Sequence, residues 1–440
     1  MRFNSSNFDE PVILPASSFC ESIFDGTHDS PKQQDYGFKL VTSRHIKANK
    51  ILLEEAYFIS EEDYLKINKR SRLQIGDVLF TMIGTVGEVC RVAIEPDFAI
   101  KNIGVFRPAE SSDSAWIYYY LLSPEGRKSI DAAKRGTTQQ FMGLKELREF
   151  PFIFPKDSRY RQKQMQILEQ IDAKIETNRK ISRTLEEIAQ TIFKSWFIDF
   201  NPVKAKMAGD KSGGMDDKTS VLFPDSMKES ELGLIPKGWK ILPASDLFEI
   251  GIGRTPPRKE PHWFCNGNQG IPWVSIRDMG IYETYTHSTS EGLTEEAVAK
   301  FKVPVVPEET VLMSFKLTVG KLSITDRKLV TNEAIAHFKI PEESLLNTPF
   351  AYLWLKNLDV GSLDSTSSIG IATNSKVIKQ IKFLVPAKEL VDTFYSKVSP
   401  LFSQMNLLQK QIYNLTQIRD SLLPRLISGE LKIPEEMLAS

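Results

Sequence analysis

Cysteine and histidine are scarce in this chain, and their scarcity excludes several kinds of protein. The 440 residues include 3 Cys and 5 His. Cys20, Cys90 and Cys265 are odd in number and far apart, so they indicate neither a disulfide framework nor a zinc site. No two histidines have the H-x-x-x-H spacing of a helical metal site. We therefore expect no metal on this chain and a reducing, cytoplasmic location.

Long apolar runs and an excess of one charge are lacking as well. The sequence contains no run of about 18 apolar residues, which a membrane span would need. Its first residues lack the apolar core of a signal peptide. Lys plus Arg and Asp plus Glu each number 56. A protein that grips DNA phosphates by itself usually carries excess positive charge. If this chain binds nucleic acid, we expect local clusters of cations or a partner that supplies them.

The common motifs of catalysis are also missing. Gly320 and Lys321 precede Leu322 instead of Ser or Thr, and the upstream glycine of a phosphate-binding loop is absent. The tripeptide "NPV" at 201–203 lacks the second proline and the aromatic residue of an adenine-methyltransferase motif. The acidic segment 95–101 has no nuclease spacing. The chain is therefore expected to be non-catalytic.

What the sequence does contain is a repeat of itself. "ILPAS" occurs at 13–17 and again at 241–245, an offset of 241 − 13 = 228 residues. At nearly the same offset, "VLFTMIGTVG" (78–87) aligns with "VLMSFKLTVG" (311–320). An offset that changes by only a few residues over most of the chain indicates a tandem duplication into two related halves.

Each half has the pattern of a mixed domain followed by a long helix. The mixed stretches, 1–155 and 241–386, contain short β-branched runs and short helical patterns, and each ends in a proline-bounded strand. The segments 156–200 and 387–440 keep apolar residues at helical spacing. Residues 201–240, polar and rich in Gly, Ser and Lys, are interpreted as a linker and the start of the second half.

A narrow apolar seam on each long segment predicts that the two helices pack against each other. The seam residues are Leu168, Ile171, Ile175, Leu185 and Ile192 in the first helix, and Leu401, Met405, Leu408, Ile412, Leu415 and Leu422 in the second. About 40 residues give roughly 60 Å of helix, which is longer than a domain of about 150 residues requires.

Three polar residues and two prolines interrupt this pattern. Asn178 and Ser182 lie in the seam of the first helix, and Arg419 lies in the seam of the second. Pro400 lies inside the second helix, so we expect a kink there or a new start with Pro400 in the first turn. Pro424 is expected to kink or end the same helix.

Together these patterns predict a mixed α/β protein with a pseudo-twofold arrangement. Two globular α/β domains are joined by two long antiparallel helices that pack as in a coiled coil. A flexible linker lets the second half turn back, so one domain is expected at each end of the helical pair. The alternative is that each helix packs only on the mixed domain that precedes it.

The segment "GTVG" at 84–87 matches the GxxG loop of KH nucleic-acid-binding modules. A KH loop joins two helices, whereas the flanking residues here have the β-branched pattern of strands. The aligned segment "LTVG" at 317–320 lacks the first glycine. Both segments are therefore interpreted as hairpin turns.

Loops in both halves are rich in side chains that form hydrogen bonds to base edges and phosphates. In the first half the candidates are Thr27, His28, Lys39, Arg44, Asn102, Lys134, Arg135, Thr137, Thr138, Gln139 and Gln140. In the second half they are Arg254, Thr255, Arg258, Lys259, Ser275, Arg277, Lys316, Asn332, Ser367, Ser368, Thr373 and Asn374. For any single residue the alternative is a solvated loop or a local capping bond.

The two halves keep a common frame and differ at these loops. Three candidate pairs align across the halves: Thr27 with Thr255, Arg44 with Arg277 and Asn102 with Asn332. The charged loop "KRGTTQQFMG" (134–143) aligns with the uncharged "STSSIGIATNS" (365–375). A shared frame with different loops favours recognition of two unlike targets at a fixed separation.

The chain resembles the specificity subunits of type I restriction–modification systems over nearly its whole length. "GDVLFTMIGTVG", "KRGTTQQFMGLKELREFPFIFP" and "LEEIAQTIFKSWFIDF" resemble the first target-recognition domain and the central conserved helical region of that family. "FPDSMKESELGLIPKGW" (223–239) resembles the start of the second target-recognition domain, and "LLPRLISGEL" (422–431) resembles the end of the distal conserved helical region.

The resemblance implies a function without catalysis by this chain. Each recognition domain is expected to recognise one half of a bipartite, asymmetric site in double-stranded DNA, and the helices to set the spacing and bind two modification (methyltransferase) subunits. Those partners would use S-adenosylmethionine to methylate adenine, and a separate restriction subunit would use ATP and Mg²⁺ to cut DNA. No cofactor and no membrane are expected for the chain itself. The open alternatives are a non-catalytic adaptor, a fused methyltransferase/nuclease fragment and an orphan DNA-binding protein.

Overall fold

The computed structural model describes residues 12–136, 140–155, 157–210, 215–267, 269–316, 318–359, 361, 374–431, 433–434 and 436. Backbone contacts divide the chain into two compact units. Unit 1 contains residues 1–174 and 415–440, and unit 2 contains residues 175–414. Each unit includes a part of each long helix, because the division falls within both helices.

Unit 1 is built from short strands and helices around an aromatic core. Its strands are β1 (Val12–Pro15), β2 (Cys20–Asp25), β3 (Phe38–Thr42), β4 (Ile46–Lys47), β5 (Lys50–Ile51), β6 (Tyr57–Ile59), β7 (Val78–Thr81), β8 (Val89–Arg91), β9 (Phe98–Lys101), β10 (Ile103–Pro108) and β11 (Pro151–Phe154). Its helices are α1 (Glu61–Ser71), α2 (Asp113–Leu122), α3 (Pro124–Ala133), α4 (Leu144–Arg148) and the first part of α5 (Ser158–Phe193).

Two sheets organise this unit. An antiparallel sheet has the order β2-β10-β7-β8, and a mixed sheet has the order β6-β3-β9 with β3 and β9 parallel. The core includes Phe80, Phe106, Trp116, Phe152 and Leu168, so the first long helix contributes to the same core as the sheet. α2 and α3 are separate helices, because Ser123 caps α3 by accepting a hydrogen bond from Gly126 N and Pro124 occupies its first turn.

Unit 2 repeats this architecture. Its strands are β12 (Met227–Ser230), β13 (Gly233–Pro236), β14 (Lys240–Pro243), β15 (Glu249–Ile252), β16 (Phe264–Asn266), β17 (Ile271–Val274), β18 (Tyr285–Thr286), β19 (Glu291–Leu293), β20 (Val305–Val306), β21 (Val311–Ser314), β22 (Leu322–Thr325), β23 (Leu329–Thr331), β24 (Ile335–Lys339) and β25 (Lys382–Val385). Its helices, after the end of α5, are α6 (Asn201–Met207), α7 (Asp217–Val221), α8 (Ala244–Leu247), α9 (Ile276–Met279), α10 (Glu295–Lys300), α11 (Thr348–Lys356), α12 (Ser375–Lys379) and α13 (Lys388–Ile427).

The sheets of unit 2 contain the strand orders of unit 1 and add three strands at their edges, β16, β18 and β20. One sheet has the order β15-β24-β21-β22-β18, and the other has the order β16-β19-β17-β23-β20 with β17 and β23 parallel. β14 pairs with β25 as β1 pairs with β11. The predicted mixed α/β fold with a duplicated domain is therefore confirmed.

The repeated "ILPAS" segment has the same structural role in both units. In each copy the strand ends at a fully buried alanine, Ala16 or Ala244, which begins a helical turn. The amide of Ala16 donates to Phe150 O, and the amide of Ala244 donates to Ile381 O. Both alanines are completely buried, and in a closely packed interior a larger side chain would have to displace its neighbours, which is a physical reason for the same residue in both copies.

The hairpin interpretation of "GTVG" is confirmed by one hydrogen-bond pattern that occurs twice. Thr81 Oγ1 donates to Thr85 O and accepts from Glu88 N in the turn between β7 and β8. Ser314 Oγ makes the same two bonds, to Thr318 O and from Lys321 N, between β21 and β22. Both segments connect strands, which excludes a KH loop.

Residues 201–240, predicted to be a flexible linker and the start of the second half, contain regular secondary structure. The segment contains α6, α7 and the hairpin of β12 and β13. Val203, Phe223, Ile235 and Trp239 are buried in the core of unit 2, and the ring of Trp239 lies 5.8 Å from that of Phe197. These anchors are isolated apolar residues without periodicity, so the polar composition of the segment concealed them.

Of the alternatives expected at the two prolines, a restart at Pro400 and an end at Pro424 are not observed. α13 runs as one helix of 40 residues from Lys388 to Ile427. Val398 and Phe402, on either side of Pro400, are buried in the core of unit 2. Packing on that core offsets the hydrogen bond that a proline removes from a helix. None of the helices in the described part of the chain is long and apolar enough to cross a membrane.

The two long helices pack against each other in opposite directions within each unit. In unit 1, Gln164 Nε2 donates to Leu426 O at 2.7 Å, and Arg419 donates to Asp172 at 2.8 Å. As residue numbers rise on α5, their partners on α13 fall, which defines antiparallel packing. Leu168 and Leu422 belong to the same apolar core in this unit.

The same direction holds in unit 2. Asn178 Nδ2 donates to Gln411 Oε1 at 3.1 Å, and Gln409 Nε2 donates to Ser182 Oγ at 3.0 Å. Each polar residue that interrupts the seam, Asn178, Ser182 or Arg419, therefore bonds to a polar residue of the other long helix. Of the remaining seam residues, Ile175, Met405 and Leu408 are buried, and Ile171, Leu185, Ile192, Leu401, Ile412 and Leu415 are partly buried.

Candidate functional site

A polar cleft lies in unit 1 where the parallel strands β3 and β9 end beside the β7–β8 turn. Its volume is about 520 Å³. The lining residues are Ser30, Thr42, Ser43, Arg44, Tyr57, Ile83, Gly84, Thr85, Lys101 and Asn102. This set has two cations and no carboxylate, so the cleft suits an anionic or hydrogen-bonding ligand.

The turn after β3 positions Arg44 at the cleft. His45 is buried, and its Nδ1 accepts a hydrogen bond from Thr42 N at 2.9 Å. Desolvation, and secondarily the charge of Arg44, lowers the pKa of His45. The neutral ring can therefore act as the acceptor that closes this turn, while the side chain of Arg44 stays exposed.

Asn102 is held at the end of β9 by its backbone. Its φ is 54°, a left-handed conformation that asparagine tolerates better than most residues. Its amide donates to Thr27 O at 3.2 Å, and its carbonyl accepts from Ser43 Oγ at 3.2 Å. The loops after β2, β3 and β9 are thereby joined at one residue.

His28 links Asn102 to a buried carboxylate. Its Nδ1 lies 2.7 Å from Asn102 Oδ1, and its Nε2 lies 3.0 Å from Asp25 Oδ2. The Asp25 side chain is 4% exposed and also accepts from Arg70 at 2.8 Å. A second depression beside this group is lined by Thr27, His28, Asp29, Ser30, Pro31, Asp63, Lys66, Ile67, Arg70 and Ser71.

The corresponding edge of unit 2 is built in the same way. Ser275 caps α9 directly after β17, as its Oγ accepts from Asp278 N and its amide donates to Asp278 Oδ2. Arg277 is exposed on this turn. Asn332 follows β23, and its amide donates to Val274 O at 3.0 Å. Arg277 therefore occupies the place of Arg44, two residues after the N-cap of the turn. Asn332 is one residue out of register with Asn102, because Val41 pairs with Ile100 whereas the equivalent Val274 pairs with Thr331.

The predicted alignment of Thr27 with Thr255 is wrong by one residue. Thr27 N donates to Ile100 O, and the residue that makes the equivalent bond in unit 2 is Arg254, whose amide donates to Thr331 O. The preceding residue is glycine in both units. A Cβ on Gly26 would lie 2.3 Å from Ile100 O, so a close backbone approach fixes the position of this glycine.

Several predicted cations are bound by neighbouring groups in unit 1. Lys39 Nζ donates to Ala56 O at 2.8 Å and lies 3.8 Å from the centre of the Phe58 ring. Lys134 pairs with Asp131 at 2.7 Å. Arg135 pairs with Glu146. These three side chains are not brought to the cleft, and Gln140 is exposed.

In unit 2, four further candidates have local partners. Arg254 donates to Phe301 O at 2.7 Å, and Thr255 Oγ1 donates to Glu333. Arg258 forms a bidentate pair with Glu291. Asn374 caps α12 by accepting from Lys376 N and Val377 N. Lys259 and Lys316 are exposed.

Six candidates lie outside the described residues, namely Thr137, Thr138, Gln139, Ser367, Ser368 and Thr373. Conversely, the cleft contains polar residues that sequence reasoning missed. Lys101 precedes the candidate Asn102, and Thr85 belongs to the repeated hairpin turn. Both residues could therefore have been identified from the sequence by their position. Ser30 and Tyr57 come from distant loops, and no local pattern identifies them.

The chain contains two copies of one mixed domain, and each copy has a polar edge where its parallel strands end. This arrangement defines a duplicated recognition protein. In the described part of the chain, no cluster of three or more His, Cys, Asp or Glu side chains could hold a metal ion. The family model of the type I restriction modification DNA specificity domain matches residues 18–187 and 236–417.

Curated relatives and a solved structure agree with this match. The chain is 31% identical over 320 residues to the type I restriction enzyme HindI specificity subunit of Haemophilus influenzae, covering 62% of this chain and 68% of that protein. It is 26% identical over 372 residues to the MjaIX specificity subunit of Methanocaldococcus jannaschii, covering 82% and 78%. The fold is similar to that of the type I restriction-modification system S subunit from M. genitalium, with a TM-score of 0.56, 15% identity and coverage of 97% and 98%.

This chain belongs to the type I restriction-modification DNA specificity family, because the two matched regions together span more than half of it. It is a specificity subunit with two specificity domains, and it is a non-catalytic component of a restriction–modification complex. The predicted family and function are therefore confirmed. The alternatives of an adaptor or a fused methyltransferase/nuclease fragment are not favoured.

Proposed function

We propose that each unit contacts double-stranded DNA with the edge where its parallel strand pair ends. In unit 1 this edge is the cleft that contains Arg44, Lys101 and Asn102. In unit 2 it is the surface that contains Arg277 and Asn332. The observation that carries the proposal is the composition of the cleft, whose ten lining residues include two cations, five hydroxyl groups and one amide but no carboxylate.

This composition fits both parts of DNA recognition. Arg and Lys bind phosphates or the acceptor edge of guanine, whereas Asn, Ser and Thr form hydrogen bonds to base edges. The whole chain is neutral, because 56 basic residues balance 56 acidic ones. A local cluster of cations explains how such a chain can still bind DNA. A cluster that excludes carboxylates can attract DNA while the remaining surface does not.

The two units recognise different sequences in this proposal. Their frames are alike, but by strand register Lys101 of unit 1 corresponds to Asn332 of unit 2. Each unit then specifies one half of a bipartite site. The predicted domains 1–155 and 241–386 are the recognition domains, joined through the helical regions 156–200 and 387–440.

The long helices are the proposed attachment sites for partners. We infer that exposed faces of α5 and α13 bind two modification subunits, which carry S-adenosylmethionine, and that a restriction subunit with ATP and Mg²⁺ joins the complex in the cytoplasm. Ile181 and Ile188 support this assignment, because they are 42% and 43% exposed and lie seven residues apart on one face of α5.

Single substitutions test the DNA-binding edges in the complete complex. Arg44→Gln is expected to weaken or alter recognition of one half-site, and Arg277→Gln is expected to do the same at the other half-site. If the arginine contacts a base, the loss of binding free energy is about 1–3 kcal/mol. Lys228→Gln is the control, since Lys228 is exposed on β12, which pairs with β13 and not with the strands of the proposed unit 2 edge. The readout is the set of modified adenines across a host genome, together with DNA affinity at several salt concentrations.

The outcomes separate the possible contacts. A phosphate contact weakens binding to all sequences and reduces the salt dependence, whereas a base contact changes one position of one half-site. If both arginine variants modify the same sites at the same rate as the control, the proposed edges do not bind DNA.

A further inference from the structure

We propose that Lys316 supplies to the edge of unit 2 the phosphate-binding cation that Lys101 supplies to the edge of unit 1. The two lysines come from different loops, because the strand end carries the cation in one unit and the hairpin turn carries it in the other. This inference rests on the proposed DNA contact of the two edges, and it names the residue that makes a charged contact in unit 2.

The parallel strand that ends at the edge carries a cation in unit 1 only. By strand register Lys101 of unit 1 corresponds to Asn332 of unit 2. Lys101 Nζ donates to Ser30 Oγ, and both residues line the unit 1 cleft. An asparagine at the same place forms hydrogen bonds but brings no charge.

The loop after this strand adds an acidic residue in unit 2. Residues 101–102 of unit 1 correspond by register to residues 332–334 of unit 2, because β10 and β24 begin directly after them. The longer loop contains Glu333, which is exposed and accepts a hydrogen bond from Thr255 Oγ1. An exposed carboxylate repels DNA phosphates. If this edge binds DNA, a cation from another loop has to offset the carboxylate.

The hairpin turn beside the edge shows the opposite exchange. The two turns have the same hydrogen-bond frame, which starts at Thr81 in β7 and at Ser314 in β21. Two residues later the turn of unit 1 has Ile83, whereas the turn of unit 2 has Lys316. Ile83 lines the cleft together with Lys101. The equivalent place in unit 2 therefore borders the proposed edge, and it is occupied by an exposed lysine.

Backbone hydrogen bonds hold the turn of Lys316 against the loop of Asn332. The amide of Phe315 donates to Ala334 O at 2.9 Å, and the amide of Ala334 donates to Asn332 Oδ1 at 3.1 Å. Lys316 directly follows Phe315, and its Nζ lies 5.4 Å from the centre of the Phe315 ring. Among the described residues its ammonium has neither an ion pair nor a hydrogen bond. Since a lysine binds phosphate as a point charge on a flexible stem, it can serve this edge from either loop.

The test measures DNA binding by the complete complex with its modification subunits at several salt concentrations. One phosphate contact contributes about 0.9 to the slope of log affinity against log salt, which is about fivefold in affinity at roughly 0.15 M salt. Lys316→Gln is expected to lose this contribution, and Lys316→Arg is expected to keep it. Lys328→Gln is the matched control, because Lys328 is exposed and directly precedes β23, whereas Asn332 follows the other end of this strand.

A second pair of variants tests the exchange between the two loops. Glu333→Lys in the Lys316→Gln background places the cation in the loop that carries it in unit 1, so the salt slope and the affinity are expected to return to the wild-type values. Glu333→Gln in the same background removes the carboxylate without adding a cation, and the slope is expected to stay reduced. Both side chains are exposed, so these changes leave the core of the unit intact.

Equal affinity and equal salt slope in Lys316→Gln and Lys328→Gln would overturn the inference. A changed half-site sequence with an unchanged slope would overturn it too, because Lys316 would then contact a base. If Glu333→Lys restores no more than Glu333→Gln does, the lysines of the two units are not equivalent. Arg277→Gln separates these results from the proposed function: a weakened or altered second half-site shows that the unit 2 edge binds DNA through another group, whereas an unchanged one shows that the edge itself does not bind DNA.

Discussion

Gln409 is the most informative position for testing how the helix pair is held in unit 2. Its side chain lies on α13 and is 5% exposed. Oε1 accepts from Tyr285 N at 2.9 Å, and Nε2 donates to Ser182 Oγ at 3.0 Å and to Glu283 at 3.4 Å. One amide therefore connects both long helices and the start of β18.

Replacement by leucine keeps the approximate volume and removes all three bonds. The amide of Tyr285 and the hydroxyl of Ser182 then lose a partner, at about 1–3 kcal/mol for each buried group. Burial of the leucine offsets about 1–2 kcal/mol of this loss. The midpoints of these ranges are about 4 kcal/mol lost and about 1.5 kcal/mol regained. We therefore expect Gln409→Leu to lower the free energy of unfolding by about 2–3 kcal/mol, which corresponds to several degrees in the melting temperature of a unit of this size.

A matched control is available one turn away on the same helix. Gln404 is exposed, so Gln404→Leu makes the same chemical change without breaking a buried bond. Thermal unfolding of the full chain, alone and with its modification subunits, compares the two variants. A melting temperature of Gln409→Leu equal to or above that of Gln404→Leu would refute the reasoning, because apolar packing would then stabilise the helix pair better than this polar contact.

Three further predictions concern the two domains. Gly26→Ala is expected to lower the melting temperature by several degrees, because its Cβ would lie 2.3 Å from Ile100 O, and an unchanged value would contradict the close approach. Burial lowers the pKa of His337 to about 4, so the neutral ring is favoured in the folded state. The contribution of the neutral ring to the free energy of unfolding is complete above the unfolded pKa of about 6.5. About 3 kcal/mol of it is lost as the pH falls towards 4. His337→Gln should remove most of this pH dependence of unfolding, and a slope equal to the wild type would be evidence against it. Burial raises the pKa of Cys90 to about 12, whereas Cys265 is only partly buried. An alkylating reagent at pH 8 should therefore modify Cys265 before Cys90, as detected by mass spectrometry. Earlier modification of Cys90 would be inconsistent with the fold.

The repeated elements were predictable because their signals are local. The β7–β8 hairpin appears in the sequence as two β-branched runs around a glycine-rich turn, and its copy at β21–β22 repeats the pattern. The long helices appear as apolar residues at helical spacing, and both are present in the structure. Antiparallel packing followed from the length of the helices and from the tandem duplication, and both units contain it.

Other features depended on contacts between distant residues. Pro400 predicts a break by its own chemistry, but Val398 and Phe402 are buried beside it and the helix continues. Trp239 lies in a polar segment that resembles a linker, and its ring reaches Phe197 only after the fold has formed. In both cases the energy of tertiary packing exceeds a local preference.

The sequence by itself determined the duplication, the order of the elements, the helix pairing and the family, because periodicity and repeated motifs are properties of neighbouring residues. Only the tertiary structure decided which candidates share a site. Arg44, Lys101 and Asn102 converge because β3 and β9 are parallel neighbours, whereas Lys134 and Arg258 bind acidic groups near them. The physical reason is that a hydrogen-bonding side chain is defined by its partners, and those partners come from parts of the chain that meet only in the folded protein.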